Sequence, residues 1–271
     1  MKIFGGNQGQ FGDLAMMTVV ARAIKEKYPN SNYTLGIGNR YGEIATLFNN
    51  HPYVDEVKIL QNYGKITETD SRWIAAQSFD LILNLEPQHE RFDWWNFRHQ
   101  VSEACVMNGF NPPDDLRVNW NNGIEWKKVE RKNPVISFAP FGNFGKCKKS
   151  LTFDVAQSIV EELNKNNIDV VQIGHHSEPL LQHCQIKNGI SYEKSVESIL
   201  NTDLFLTVDT GLTWVTSGYA MPTVGLYFKN GVVPKLDAIQ PYNERAAHLN
   251  FENNLELNVQ EVVKEMIKKL V

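Results

Sequence analysis

Short apolar runs that end in glycine- or aspartate-bearing turns, each followed by a stretch with helical spacing, recur along this chain and constrain its fold most. Leu204-Phe205-Leu206-Thr207-Val208 runs directly into Asp209-Thr210-Gly211-Leu212 and then into a helical pattern. Lys2-Ile3-Phe4 likewise leads into a glycine-rich turn (Gly5, Gly6, Gly9, Gly12) and a helix over 13–28, where Leu14, Met17, Val20, Ala21 and Ile24 recur at helical spacing before Pro29. The first half continues with strands over 33–37, 54–60 and 80–85 and a helix over 41–48. A polar stretch over 111–133, with Pro112, Pro113 and the Asn121-Asn122-Gly123 turn signal, then breaks the pattern. Beyond it, strands over 135–139, 170–173, 204–208 and 223–227 alternate with helices over 153–164, 196–201 and 213–219.

Strands that alternate with helices imply a mostly parallel sheet, because a parallel pair needs a long crossover. The predicted fold is therefore α/β, with two Rossmann-like domains over 1–125 and 126–271. The last helix, over 258–271, sets Val259, Val262, Val263, Met266, Ile267 and Leu270 on one face. It is expected to pack on a domain, with the N-terminal one as an option.

Composition narrows the class. The 271 residues are 42% hydrophobic and 21% charged, as in a folded globular protein, and the net charge of −4 gives no global pull toward nucleic acid or anionic membranes. The opening lacks the apolar core of a signal peptide, and no run reaches membrane-spanning length, so a soluble cytoplasmic protein with no integral membrane segment is expected. Cys105, Cys147 and Cys184 are odd in number and far apart, which argues for free thiols over disulfides or a zinc site.

Four stretches carry chemistry. The first, Gly5 to Asp13, follows a strand, where open α/β sheets place ligands, yet it is neither a GxGxxG nor a Walker A loop. Asp13 there reads either as a first-turn acid complementing the helix dipole or as a functional carboxylate. In the second, Asp209-Thr210-Gly211-Leu212 aims backbone N–H groups and a hydroxyl at an anion on a helix N-terminus; the alternative, compatible with it, is that Asp209 caps that helix. In the third, Lys146, Lys148 and Lys149 follow the 135–139 strand and can neutralise phosphate. In the fourth, Ile173-Gly174-His175-His176-Ser177-Glu178 ends a strand; adjacent histidines without a third ligand do not make a zinc site, and Glu178 can accept from ribose hydroxyls.

Jointly these stretches resemble the ADP-heptose:lipopolysaccharide heptosyltransferase family, glycosyltransferase family 9, whose members have the two-domain GT-B fold with a cleft between the domains. The resemblance runs through Gly12-Asp13-Leu14, Tyr28-Pro29, His51-Pro52-Tyr53-Val54-Asp55-Glu56-Val57, Val208-Asp209-Thr210-Gly211-Leu212 and Ala220-Met221-Pro222-Thr223-Val224-Gly225-Leu226-Tyr227. It implies an inverting, metal-independent transferase that takes a nucleoside-diphosphate sugar, such as ADP-heptose, as substrate and needs no cofactor. By that resemblance Asp13 is the catalytic base. Lys149 is the phosphate-binding lysine, with Lys146 and Lys148 as rivals because the Trp and Pro of the family's Lys-x-Trp-Pro are absent. Asp209, Thr210, Gly211 and Leu212 form the diphosphate turn, Glu178 falls near the ribose-binding glutamate, and Gly12 lies beside the donor. Trp214 stands where the family has histidine, next to the nucleotide. The acceptor-side candidates are Gln10, Arg91, Trp94, Trp95 and Arg98, aromatic rings and arginines that suit a sugar or a stacked base. A glycan is the expected acceptor, a hydroxymethylated base of phage-like DNA is an alternative, and a catalytically silent nucleotide-sugar-binding domain is a second.

Overall fold

The computed structural model describes residues 1–7, 9–61, 66–85, 99–120, 124–142, 149–229, 236–253 and 257–270, which fall into two compact units, Met1–Ile124 and Glu125–Val271.

In the first unit the elements run β1 (Lys2–Asn7), α1 (Phe11–Lys27), β2 (Asn32–Gly38), a 3-10 segment (Asn39–Phe48), β3 (Glu56–Leu60), α2 (Glu68–Ala76), β4 (Leu81–Asn84) and α3 (Gln100–Met107). The sheet is wholly parallel in the order β3-β2-β1-β4. Gly5 and Gly6 belong to β1, not to the turn predicted for them. Close packing explains the glycine at position 5: a Cβ on Gly5 would lie 2.6 Å from Leu85 Cδ1 and 2.9 Å from the Tyr33 hydroxyl. From Leu14 to Ile24 nearly every residue of α1 is buried, which marks it as a helix covered on most sides. Tyr41–Phe48 is 3-10 in place of the predicted α-helix, with Tyr41 out of helical geometry.

The family-like segment around residues 51–57 is architectural. The Asp55 carboxylate accepts from the Tyr33 amide at 2.7 Å and from Lys25 Nζ at 2.6 Å, tying α1 and β2 to the approach of β3. His51 is buried, its Nδ1 accepting from the Tyr53 amide and its Nε2 lying 3.0 Å from the Asn119 carbonyl, and desolvation holds its pKa below the usual value.

The second unit continues with β5 (Val135–Ala139), α4 (Phe153–Lys165), β6 (Asp169–Gln172), β7 (Gln185–Ile186), α5 (Tyr192–Leu200), β8 (Leu204–Val208), α6 (Gly211–Ser217), β9 (Thr223–Phe228), a 3-10 turn (Leu236–Ile239), β10 (Ala246–Phe251) and α7 (Val259–Leu270). Its six parallel strands follow the order β10-β9-β8-β5-β6-β7. Counted from β5 this is 3-2-1-4-5-6 read from the far edge, the doubly wound Rossmann order, so the winding reverses between β5 and β8.

The larger core cluster sets Ile136, Phe138, Leu204, Leu206, Val224 and Leu226 against α4 and α7, and a second gathers Val171, Ile173, Ile199, Phe205 and Met221. The apolar face of α7 (Val262, Val263, Met266) is buried in the first of these, within the second unit. The basic stretch of residues 127–132 straps this unit's edge: Arg131 reaches Asp203 at 3.1 Å and the Asn201 carbonyl at 2.6 Å, and Lys128 Nζ reaches the Leu270 carbonyl at 3.0 Å. No helix among the described residues is long and apolar enough to cross a membrane.

Candidate functional site

Each sheet reverses its winding at one place, and each reversal holds one of the sequence candidates. In the first unit that place lies between β1 and β4. Asn7, fully buried, bridges it: its Nδ2 donates to the Leu85 carbonyl at 2.9 Å and its Oδ1 accepts from the Gly9 amide at 2.8 Å. The loop is thereby tied at both sides just before α1. Gln10 is the N-cap and Asp13 the third helical residue, whose Oδ2 accepts from the Gln10 amide at 2.8 Å while Oδ1 lies 3.4 Å from Gln100 Nε2. Gly9 is required here by close approach, since a Cβ on it would stand 2.5 Å from Asp13 Cβ. The capping role foreseen for Asp13 is realised, and it fixes the carboxylate at the carboxyl end of β1, on the positive end of a helix dipole. Gly12 sits half-buried in the same first turn.

In the second unit the reversal lies between β5 and β8. Lys149, from the loop after β5, and Asp209, at the end of β8, form an ion pair there. The β5 loop is pinned at its base: Ser150 Oγ accepts from the Gly142 amide and donates to the Gly142 carbonyl, both at 2.9 Å, and the Leu151 amide donates to the Pro140 carbonyl at 3.0 Å. Lys149 therefore projects from a fixed stem. Thr210, not Asp209, caps α6, because the helix begins at Gly211; its hydroxyl meets those of Thr207 and Thr213 at 3.3 and 3.2 Å, while Thr213 Oγ1 donates to the Val208 carbonyl at 3.1 Å. This hydroxyl triad orients the first turn of α6, where the Gly211 and Leu212 amides belong to the set that a helix leaves without internal acceptors. The hydroxyls of Thr207 and Thr213 were not foreseen; a second threonine three residues after a capping threonine was the signal for them. Beside the pair, Lys149 and Asp209 line a small hollow with Leu226, Tyr227, Phe228, Leu236 and Ile239.

Glu178 stands beyond β6 with 8% exposure, and burial pushes its carboxyl up to about 7, against a weaker opposing hydrogen bond to the His175 backbone. Trp214, expected beside the nucleotide, is 4% exposed on α6. Arg91, Trp94, Trp95, Arg98, Lys146 and Lys148 lie outside the described residues, as does Cys147. Among the described residues no group of three or more His, Cys, Asp and Glu side chains could hold a metal ion.

No family model matches this chain, and no curated protein matches it. Solved structures do. A glycosyl transferase family 9 protein from Veillonella parvula superposes with a TM-score of 0.74 at 15% identity, covering 99% of this chain and 97% of its own. The ADP-heptose LPS heptosyltransferase II of Escherichia coli gives 0.73 at 16% identity over 100% and 98% of the two chains. An E. coli heptosyltransferase solved with ADP gives 0.70 at 10% identity over the full length of both. The likeness spans both units, so the chain has the two-sheet α/β fold of these glycosyltransferases.

Proposed function

We propose that this chain is a glycosyltransferase that moves a sugar from a nucleoside-diphosphate donor, of which ADP-heptose is the leading candidate, to a glycan hydroxyl, with inversion and without a metal. The observation that carries this reading is the placing of Lys149, Asp209 and the Thr210 turn together at the winding reversal of the second unit. There a lysine, a capped helix start and a set of first-turn amides can meet one diphosphate. Donor-bearing relatives support it: one of the similar structures holds ADP and another ADP-2-deoxy-2-fluoro heptose.

In the reaction, the acceptor hydroxyl oxygen forms a bond to the anomeric carbon as the bond from that carbon to the diphosphate oxygen breaks. The proton passes to Asp13. A carboxylate has about four lone-pair directions, so accepting from the Gln10 amide leaves capacity for the acceptor's proton. The departing electron pair is taken by the diphosphate, whose added charge Lys149 and the Gly211 and Leu212 amides stabilise. A single displacement of this kind inverts the anomeric centre. When Lys149 turns to the diphosphate, it exchanges the Asp209 carboxylate for phosphate oxygens. The test is a transfer assay with ADP-heptose and a panel of nucleoside-diphosphate sugars against lipopolysaccharide core acceptors; release of nucleoside diphosphate that depends on acceptor supports the reading, and release by none of the donors refutes it.

A further inference from the structure

Asn188 was not among the sequence candidates. It lies just past β7, where the pairing of Gln172 with Ile186 is continued by the Lys187 amide donating to the Gln172 carbonyl at 2.9 Å and the Gly189 amide to the Gly174 carbonyl at 2.8 Å. That ladder sets Asn188 opposite Gly174, and paired residues of neighbouring parallel strands leave the sheet on the same face, about 5 Å apart. The place a Gly174 side chain would take is filled by Glu178, since an added Cβ there would fall on Glu178 Oε2. The register thus brings both residues to the carboxyl end of the β6–β7 edge, Glu178 over Gly174 and Asn188 opposite it. Both carry unpaired atoms: Glu178 Oε2 and both amide atoms of Asn188 are buried with no hydrogen-bond partner among the described residues.

Buried polar groups are nearly always paired, so three orphaned atoms in one place mark a spot completed by something else. The missing partner must donate and accept at two neighbouring points. A vicinal diol does this, each hydroxyl bringing one donor and two acceptor lone pairs. In doubly wound sheets an acid at the end of the second strand, here β6, meets the ribose of a nucleotide whose phosphates lie at the winding reversal. We infer that Asn188 is the second half of a diol-binding pair: its carboxamide and the Glu178 carboxyl together take the ribose hydroxyls of the donor, and Asn188 sets a preference for ribo- over 2′-deoxyribonucleotides. The inference rests on the donor site proposed above.

The experiment is calorimetric titration of the full chain with ADP, GDP, CDP and UDP and with their 2′-deoxy counterparts, for wild type, Asn188→Leu and Asn188→Asp. Wild type binds its ribonucleoside diphosphate about tenfold or more tightly than the deoxy form, because the deoxy form leaves a buried group unpaired. Asn188→Leu brings the two within about twofold by weakening the ribo form alone. It also melts no lower than wild type, since it breaks no bond within the protein. Asn188→Asp keeps the size, loses the donor and lowers the ratio too. A ratio that survives in both variants, or a marked drop in melting temperature in both, overturns the role of Asn188 while leaving the donor site intact. A wild type that binds no diphosphate at all overturns the donor site itself, and this inference with it.

Discussion

Asp13 holds the start of α1 and, in the proposed reaction, also serves as the base. As the third residue of α1 it accepts from the Gln10 amide; as the proposed base it takes a proton in the transition state. Asparagine keeps an acceptor oxygen for the cap and removes the basicity, so Asp13→Asn should melt within about 1 kcal/mol of wild type and lose about 10²- to 10⁴-fold in transfer rate. Unchanged turnover would remove Asp13 from the mechanism. Glu178 makes a second, independent prediction. With its carboxyl raised from 4.5 to about 7 by burial, folding takes up a proton between those values. Its contribution to stability is fully present below 4.5 and is lost as pH rises to about 7. The loss is on the order of 3 kcal/mol by pH 8. Glu178→Gln should flatten that slope in urea unfolding between pH 5 and pH 8; an unchanged slope would mean that another group is responsible. Both residues were legible in the sequence because they follow apolar strands, where ligands gather. Asn188 was not, because its significance depends on a cross-strand neighbour and on what fails to bond with it.

At the scale of elements, what the sequence left unread follows physical lines. Strands β5 and β8 are uniformly apolar or nearly so, and their bounds were read directly from that pattern. β10 was missed because its side chains are mixed and only partly buried, so its pairing with β9 alone defines it. α2 was missed because it is short and polar; its signal was Thr67-Glu68-Thr69-Asp70, a capping box in which Thr67 Oγ1 accepts from the Asp70 amide at 3.1 Å. The polar stretch before β5 reads in sequence only as a break in the pattern, but its basic end works as a strap. Asp203 is 6% exposed and holds both Arg131 and the Val135 amide, the latter at 2.8 Å. Arg131→Leu leaves that carboxylate without its cation and should cost about 2–3 kcal/mol in urea unfolding, below the full penalty of a buried pair because Arg131 keeps some exposure. A change under about 0.5 kcal/mol would return the strap to the status of a surface ion pair.

For the whole molecule, the alternation of strand and helix identified two α/β halves, and the strand orders explain why chemistry collects where it does. A winding reversal opens a crevice at the carboxyl edge of each sheet, where the first turn of α1 places Asp13 and the loops after β5 and β8 place Lys149 and Asp209. Sequence reasoning reached these loops but not the Thr207–Thr210–Thr213 triad that orients one of them, because a hydroxyl network exists only once β8 and α6 are in place. In the proposed function the second unit binds a nucleoside diphosphate through Lys149 and the Thr210 turn. The most direct test is a thermal-shift titration of the full chain with ADP, GDP, CDP, UDP, TDP and NAD, repeated on Lys149→Ala. Stabilisation by one of the diphosphates is expected, strongly reduced in the variant, and none by NAD, with a free energy gain that grows with the logarithm of ligand concentration. Silence with all five diphosphates, or a response to NAD alone, would contradict it.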